Sequence, residues 1–396
     1  MKNLHKNTNT AKRYKIIRIA FCFIIFLMFL LFVLKYINSR PAIYRENIPQ
    51  NYTLRDFDVL CNKLDSSYMN LNQTIKYNDI DFISLKPNFK SKIKQAYSSN
   101  KKDLTSQQVC GLYNDILDNL YESNVKIVDK YTFNKILLQE NKNEIINNLS
   151  AKRYQNLENI FPSKNFRALD VKEYKDAIYV KISDFDSVNV DKDAEIFTNI
   201  LKKYKKKSKI IVDLRDNESE NLDYALNVVI KPLLKSSINV DFKVANKTHP
   251  IISKKLLAKN NITFKTTNYS SNLKIKDNSK DIKYITTFNL KVNASNTNER
   301  DVYILQNKNT KNSADFVCQI ANRTRFASTV GETTSGNGLN IVHTYISLPN
   351  TGFLVQLPLG QGINEDGSTN EEEGTNPVIK LDDSDEIVKH LLSQIN

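Results

Sequence analysis

The period of the hydrophobic pattern changes along the chain, and each change marks a boundary. Ile19 to Leu34 is an unbroken apolar run of sixteen residues, which Ile16, Ile17, Tyr36 and Ile37 extend to about the length that spans a bilayer. This predicts a single transmembrane anchor over 16–37, a basic leader over 1–15 and a short linker over 38–53. Behind Thr53, an N-cap candidate, Phe57, Leu60, Cys61, Leu64 and Tyr68 recur at helical spacing, and Val109, Tyr113, Ile116, Leu117 and Leu120 repeat the pattern. With a third candidate helix over 133–148, these segments predict an N-terminal helical subdomain over 54–160.

The period then shortens. Ile178, Val180 and Ile182 alternate as a half-buried strand, 194–204 returns to helix, and Ile210 to Leu214 forms a continuous apolar strand interrupted only by Asp213. A helix over 221–234 and strands over 238–244 and 301–306 follow. Between those strands, 245–299 is polar, rich in Lys, Asn, Ser and Thr, and reads as an insertion with short elements. A helix from Ala314 places Phe316, Val317, Ile320 and Ala321 on one face, and a strand over 327–330 comes next. The chain closes with strands over 341–348 and 352–357 and a helix over 385–395. Strands alternating with helices predict an α/β domain over 161–396 with a largely parallel sheet.

Charge sharpens the topology. The chain carries a formal charge of +14, of which Lys2, Lys6, Lys12, Arg13, Lys15, Arg18, Lys35 and Arg40 supply +8 with no acid among the first forty residues. Six of these precede the apolar run, so the positive-inside rule places the N-terminus in the cytoplasm and residues 41–396 outside. The remainder of the chain is only mildly basic, which argues against a nucleic-acid partner. Cys22 lies in the anchor, and Cys61, Cys110 and Cys318 lie beyond it; an odd count without close pairs excludes a metal knuckle and a dense disulfide framework. Cys61 and Cys110 occupy core-facing helix positions, where buried free thiols are expected rather than a pair. No metal or cofactor site is legible.

The densest motif runs from Thr310 to Gly338. The strand ending at Gln306 leads through Asn312, Ser313 and Ala314 into a helix, and the next strand runs into Gly331-Glu332-Thr333-Thr334 with Gly336 and Gly338 behind it. This unit resembles the active-site segment of the C-terminal processing (tail-specific) serine peptidases and their tricorn-like relatives. In that family a Thr-Ala-Ser-(Ala/Ser)-(Ser/Ala)-Glu turn opens the helix and Gly-Glu-x-Thr-x-Gly follows. Asp315 falls on the first motif's Glu. Ile211-Val212-Asp213-Leu214-Arg215-Asp216-Asn217 is similar to the family's Ile-Ile-Asp-Leu-Arg-x-Asn strand, and Glu371-Glu372-Glu373-Gly374-Thr375-Asn376-Pro377 to its C-terminal Glu-x-x-Gly-x-x-Pro block. The resemblance implies a crotonase-like core and a polypeptide or C-terminal segment laid against strand edges; no PDZ segment is legible between the subdomains, which suits the tricorn-like branch.

It also implies where chemistry belongs, and there the chain departs from the pattern. The nucleophile position holds Asn312, the lysine position 25 residues on holds Asn337, and the glutamine position four further holds Ile341. The histidine position of the tricorn-like branch falls within Glu122-Ser123-Asn124-Val125, on Asn124. The glycine run of the oxyanion turn is Glu218-Ser219-Glu220, whose two carboxylates would repel a developing oxyanion. An amide neither attacks nor accepts a proton in the accessible range. Ser313 stands one position beyond the motif's serine, where a helical start swings the side chain by about 100°; it reads as an N-cap, and as the nucleophile in the alternative of an active serine peptidase. Glu371, at the tricorn-like catalytic Glu, reads as a solvated surface charge, and His343 as a strand histidine. Gly331, Gly336, Asn217 and Glu371 are the candidate binding positions, and the expectation is a membrane-anchored, extracytoplasmic pseudoprotease.

Overall fold

The computed structural model describes residues 24–26, 28, 43–121, 124–139, 146–157, 169–185, 189–252, 254–270, 272–276, 280–294 and 298–395. The expected anchor over 16–37 lies outside these residues apart from Ile24 to Phe26 and Met28, and no described helix is long and apolar enough to cross a membrane. Residues 45–396 form one body.

Helices dominate its start. Pro49, at φ −65°, opens the helix Gln50–Ser67, which buries Phe57, Leu60, Cys61 and Leu64 along one stripe. The helix Ser106–Leu117 begins with a reciprocal capping box: the Gln108 amide donates to Thr105 Oγ1 at 3.3 Å and the Thr105 amide donates to Gln108 Oε1 at 2.9 Å. A two-stranded ribbon, β1 (Asn47–Ile48) with β2 (Leu104–Thr105), ties these helices together. The strand β3 (Lys126–Ile127) follows. Cys61 and Cys110 are free thiols.

The central sheet has six strands in the order β15-β11-β10-β6-β5-β4, where β4 is Asp170–Glu173, β5 Ala177–Lys181, β6 Lys209–Asp213, β10 Asp301–Gln306, β11 Ser328–Gly331 and β15 Ile379–Lys380. All its pairs are parallel except β4 with β5. The unbroken apolar run of β6 follows from this position, because both of its faces are covered. Ile210 and Val212 join the main core, whereas Ile211 packs with Ile387, Val388 and Leu391 of the helix Ile387–Gln394.

A second sheet, ordered β14-β7-β9-β8, packs its inner face on the first layer; β7 is Ile238–Asn246, β8 Ile262–Asn268, β9 Tyr284–Val292 and β14 Gln361–Ile363. The stretch 245–299 therefore supplies two of its four strands. Phe242 stacks on Phe288 and meets Phe316 of the helix Ser313–Thr324 edge-on. The segment 222–233 is helical with a π turn over Ala225–Ile230, just ahead of Pro232, which has no amide hydrogen to give the preceding turn. Finally β12 (His343–Ser347) and β13 (Leu354–Pro358) form a hairpin that β3 completes, with Gln356 opposite Lys126. This pairing brings the residue two before Lys126, Asn124, to the end of the central sheet.

Candidate active site

The turn between β10 and the helix Ser313–Thr324 is fastened to the end of β6. Thr310 Oγ1 donates to the Leu214 carbonyl at 3.1 Å, and Asn307 Oδ1 accepts from the Asp216 amide at 3.1 Å. Three successive residues are then clamped from outside: the Lys311 amide donates to the Asn217 carbonyl at 2.9 Å, the Asn312 amide to the Gly336 carbonyl at 3.0 Å and the Ser313 amide to the Ser219 carbonyl at 2.8 Å. The clamps hold Asn312 at φ 56° and ψ −126°, a strained elbow that a non-glycine residue adopts only under such constraint.

The elbow points the Asn312 side chain at two others. Its Oδ1 accepts from Asn337 Nδ2 at 2.7 Å and from Asn124 Nδ2 at 3.2 Å, and its own Nδ2 donates to the Glu218 carbonyl at 2.8 Å. The nucleophile position and both alternative base positions thus converge on one atom, and all three are amides. Asn337 and Asn124 are 3% and 7% exposed, so the cluster is screened from water. Asn337 is held at φ 63°.

Ser313 sits beside this cluster without joining it. It is 1% exposed, and its Oγ has no hydrogen-bond partner among the described residues. A serine nucleophile needs a base within hydrogen-bond reach. Its amide, which would be an oxyanion donor at the helix start, is spent on Ser219. As an N-cap, neither Ser313 nor Asn312 makes a side-chain capping bond.

The segment 218–220, at the family's oxyanion-turn position, does not present two free carboxylates to the elbow. The Glu220 carboxylate accepts from Lys126 Nζ at 2.8 Å and from Gln356 Nε2 at 3.2 Å. Burial alone would raise this carboxyl, but Lys126, His343 and Gln356 more than offset burial and hold it below the usual glutamate range. Glu218 is exposed and reaches the cluster only through its carbonyl. Carbonyl oxygens of 217–219, rather than two free carboxylates, face the elbow, accepting from the Lys311 amide, Asn312 Nδ2 and the Ser313 amide. Ser219 Oγ fixes this arrangement by donating to Asp184 and accepting from the Phe185 amide at 2.8 Å.

The remaining candidates hold the turn in shape. Asn217 is buried, donating through Nδ2 to the Ile182 carbonyl at 2.9 Å. A Cβ on Gly336 would lie 1.8 Å from the Asn370 carbonyl oxygen, and one on Gly331 would lie 2.1 Å from that of Gln306; both have positive φ, 82° and 123°. Asp315 is buried under the glycine loop and accepts from Thr334 Oγ1 and from the Gly338 amide at 3.0 Å; its burial outweighs these bonds and raises its carboxyl. Glu371 is not a solvated charge: it is 2% exposed, accepts from the Gly362 amide at 2.8 Å, and burial pushes its carboxyl up to about 8. It belongs to the packing behind Asn370 and makes no bond to the asparagine cluster. Ile341, at the glutamine position, packs partly buried against the main core.

His343 is a strand residue as expected, the first of β12, but it lies in a charged setting. It stands close enough to Glu220 and Lys126 for their charges to act on it, its Nε2 is buried without a partner among the described residues, and burial lowers it to about 4. Sequence reading overlooked the Lys126, Glu220, His343 and Gln356 group, because strand pairing alone brings its members together. Among the described residues no group of three His, Cys, Asp or Glu side chains is placed to hold a metal ion.

A family model described as peptidase family S41 matches residues 176–381, just over half the chain. The chain belongs to peptidase family S41. The match spans the β6 strand, the elbow and the C-terminal glycine block that carry the resemblance. Similar solved structures include the photosystem II D1 C-terminal processing protease, 16% identical with a TM-score of 0.35, covering 52% of this chain and 42% of that one. Mature CPAF complexed with lactacystin is 17% identical with a TM-score of 0.38, covering 55% and 50%. A lipoprotein from Streptococcus agalactiae is 14% identical with a TM-score of 0.48, covering 90% and 98%. The chain thus spans half or less of the length of the first two of these proteins. No curated protein sequence matches it.

Proposed function

We propose that this S41 protein is a non-catalytic polypeptide-binding member of its family, a pseudoprotease. The observation that carries the reading is the bonding of Asn124 and Asn337 to Asn312 Oδ1: the geometry of a reacting centre persists while every member lacks a proton that can move. The engaged Ser313 amide and the inward carbonyls of 217–219 support it further, since they would face a developing negative charge with acceptors. A groove of ≈ 350 Å³ beside β12, with Lys63 and His249 among its walls and Ile251, Ile346 and Leu359 as apolar surface, supports retained binding of an extended segment.

The test is reactivity. The purified full chain is expected to resist labelling by a fluorophosphonate probe and to cleave a tailed peptide at the background rate, with Ser313→Ala indistinguishable from the parent. Labelling or cleavage that disappears in Ser313→Ala overturns the reading and establishes an active serine peptidase.

The apolar run over 16–37 with its basic leader supports a second element of the proposal, an uncleaved single-pass anchor with residues 41–396 outside the cell. Protease shaving of intact cells is expected to remove the domain. Its full protection, or its recovery as a soluble secreted form, is the contrary result.

A further inference from the structure

Among the described residues the second sheet ends on an unpaired edge, β8. Two hydrogen bonds fix the phase of β8: the Lys291 amide donates to the Asn261 carbonyl at 3.3 Å, and the Tyr269 amide donates to the Lys283 carbonyl at 2.8 Å. Residues in register with these, Thr263, Lys265 and Thr267, turn their backbone groups toward β9. Ile262, Phe264, Thr266 and Asn268 therefore turn theirs away from it. The helix Lys254–Ala258 packs beside the start of β8, so the open stretch runs from Phe264 to Asn268. Among the described residues no group bonds to the backbone of these outward positions, although buried or half-buried strand groups ordinarily find partners. The strand has no proline and no bulge to blunt it.

Chemistry around this edge selects what pairs with it. Lys254, Lys265 and Lys291 are exposed, and among the described residues none of them forms an ion pair. A cavity of ≈ 480 Å³ at the start of β8 is walled by Ala258, Ile262 and Phe264 and rimmed by Lys254 and Lys291. It has room for an apolar side chain between cationic flanks. A second copy of this chain is a poor occupant, because antiparallel self-pairing about the centre of β8 sets Lys265 directly opposite Lys265. From the free backbone groups, the cationic rim and the apolar cavity we infer that β8 is a docking edge for an extended acidic polypeptide of another protein, which adds as a fifth strand of this sheet. None of Asn124, Asn312 and Asn337 lines this cavity or belongs to this sheet, so the edge is distinct from the asparagine cluster and does not depend on whether that cluster is inert.

The test uses the full chain and fluorescent octapeptides that alternate Val and Thr, one with Glu at both ends and one with Lys. The Glu peptide is expected to bind saturably and at least about tenfold more tightly than the Lys peptide, with affinity falling as salt rises. Thr266→Pro removes an outward amide without touching the ladder to β9, and is expected to weaken binding at least about tenfold. Lys254→Glu, Lys265→Glu and Lys291→Glu together are expected to reverse the preference between the peptides. Thermal melting checks folding; should Thr266→Pro fail to fold, the charge reversal decides alone. Equal affinity for the two peptides, or binding indifferent to the charge reversal, overturns the proposal.

Discussion

Asn312→Ser, which reinstates the nucleophile of the family motif, is expected to destabilise the protein by about 3 kcal/mol and to produce no peptidase activity. The cost follows from what the amide holds. Serine cannot reach Asn337 Nδ2, Asn124 Nδ2 and the Glu218 carbonyl together, although asparagine meets all three at 2.7, 3.2 and 2.8 Å. Each buried group left without a partner costs about 1–3 kcal/mol, partly recovered by relaxation and entering water. Activity stays absent because neither asparagine takes a proton and the Ser313 amide remains bonded to Ser219; one lost oxyanion donor alone is worth about 10²–10³ in rate. Urea denaturation and tailed-peptide hydrolysis measure the two outcomes. Unchanged stability would show that the asparagine bonds are incidental, and cleavage above background would show that the oxyanion site can open.

That expectation rests on a cluster whose members were legible in the sequence, while their contact was not. Motif spacing placed Asn312, Asn337 and Asn124 at three reacting positions, but no periodicity shows that Asn337 and Asn124 bond to the same oxygen. The contact needs the hairpin β12 and β13 to pair with β3, a long-range event. Buried strands such as β6 were clear because both faces are apolar. β9 was obscured: Phe288, Leu290 and Val292 alternate, but Thr286, Asn289 and Lys291 dilute the signal on a sheet whose outer face is wet. Glu371 misled for a different reason. A carboxylate with no nucleophile to organise reads as a solvated charge, as most acids are, yet the short helix Asn370–Glu373 turns Glu371 inward onto the Gly362 amide. At Glu218 to Glu220 the residue types suggested obstruction by charge, and the fold instead turns backbone carbonyls toward the elbow.

The buried Glu371 gives the protein a pH dependence of defined sign. Burial is the main cause of its raised carboxyl, with the neighbouring charges of Asp315 and Glu372 adding to it and the Gly362 amide opposing it. Its value rises from about 4.5 for an ordinary glutamate to about 8 in the fold. Between these values the folded chain retains a proton that the unfolded chain has released, so stability is fully present below the lower value and is lost as pH rises toward the upper one. The slope for one group reaches at most about 1.4 kcal/mol per pH unit. Asp315 and Asp56, also raised by burial, act in the same direction. His343, lowered to about 4, acts oppositely and adds stability as pH climbs from there to the ordinary histidine range. Glu371→Gln keeps an acceptor for the Gly362 amide and has no proton to lose, so the difference between parent and variant isolates Glu371 from the other groups. Denaturation curves from pH 5 to pH 8 are expected to show the parent losing a few kcal/mol relative to the variant, with the variant the more stable at pH 8. Parallel curves would mean that Glu371 is already ionised at pH 5, held by a partner that its burial against Gly362 does not reveal.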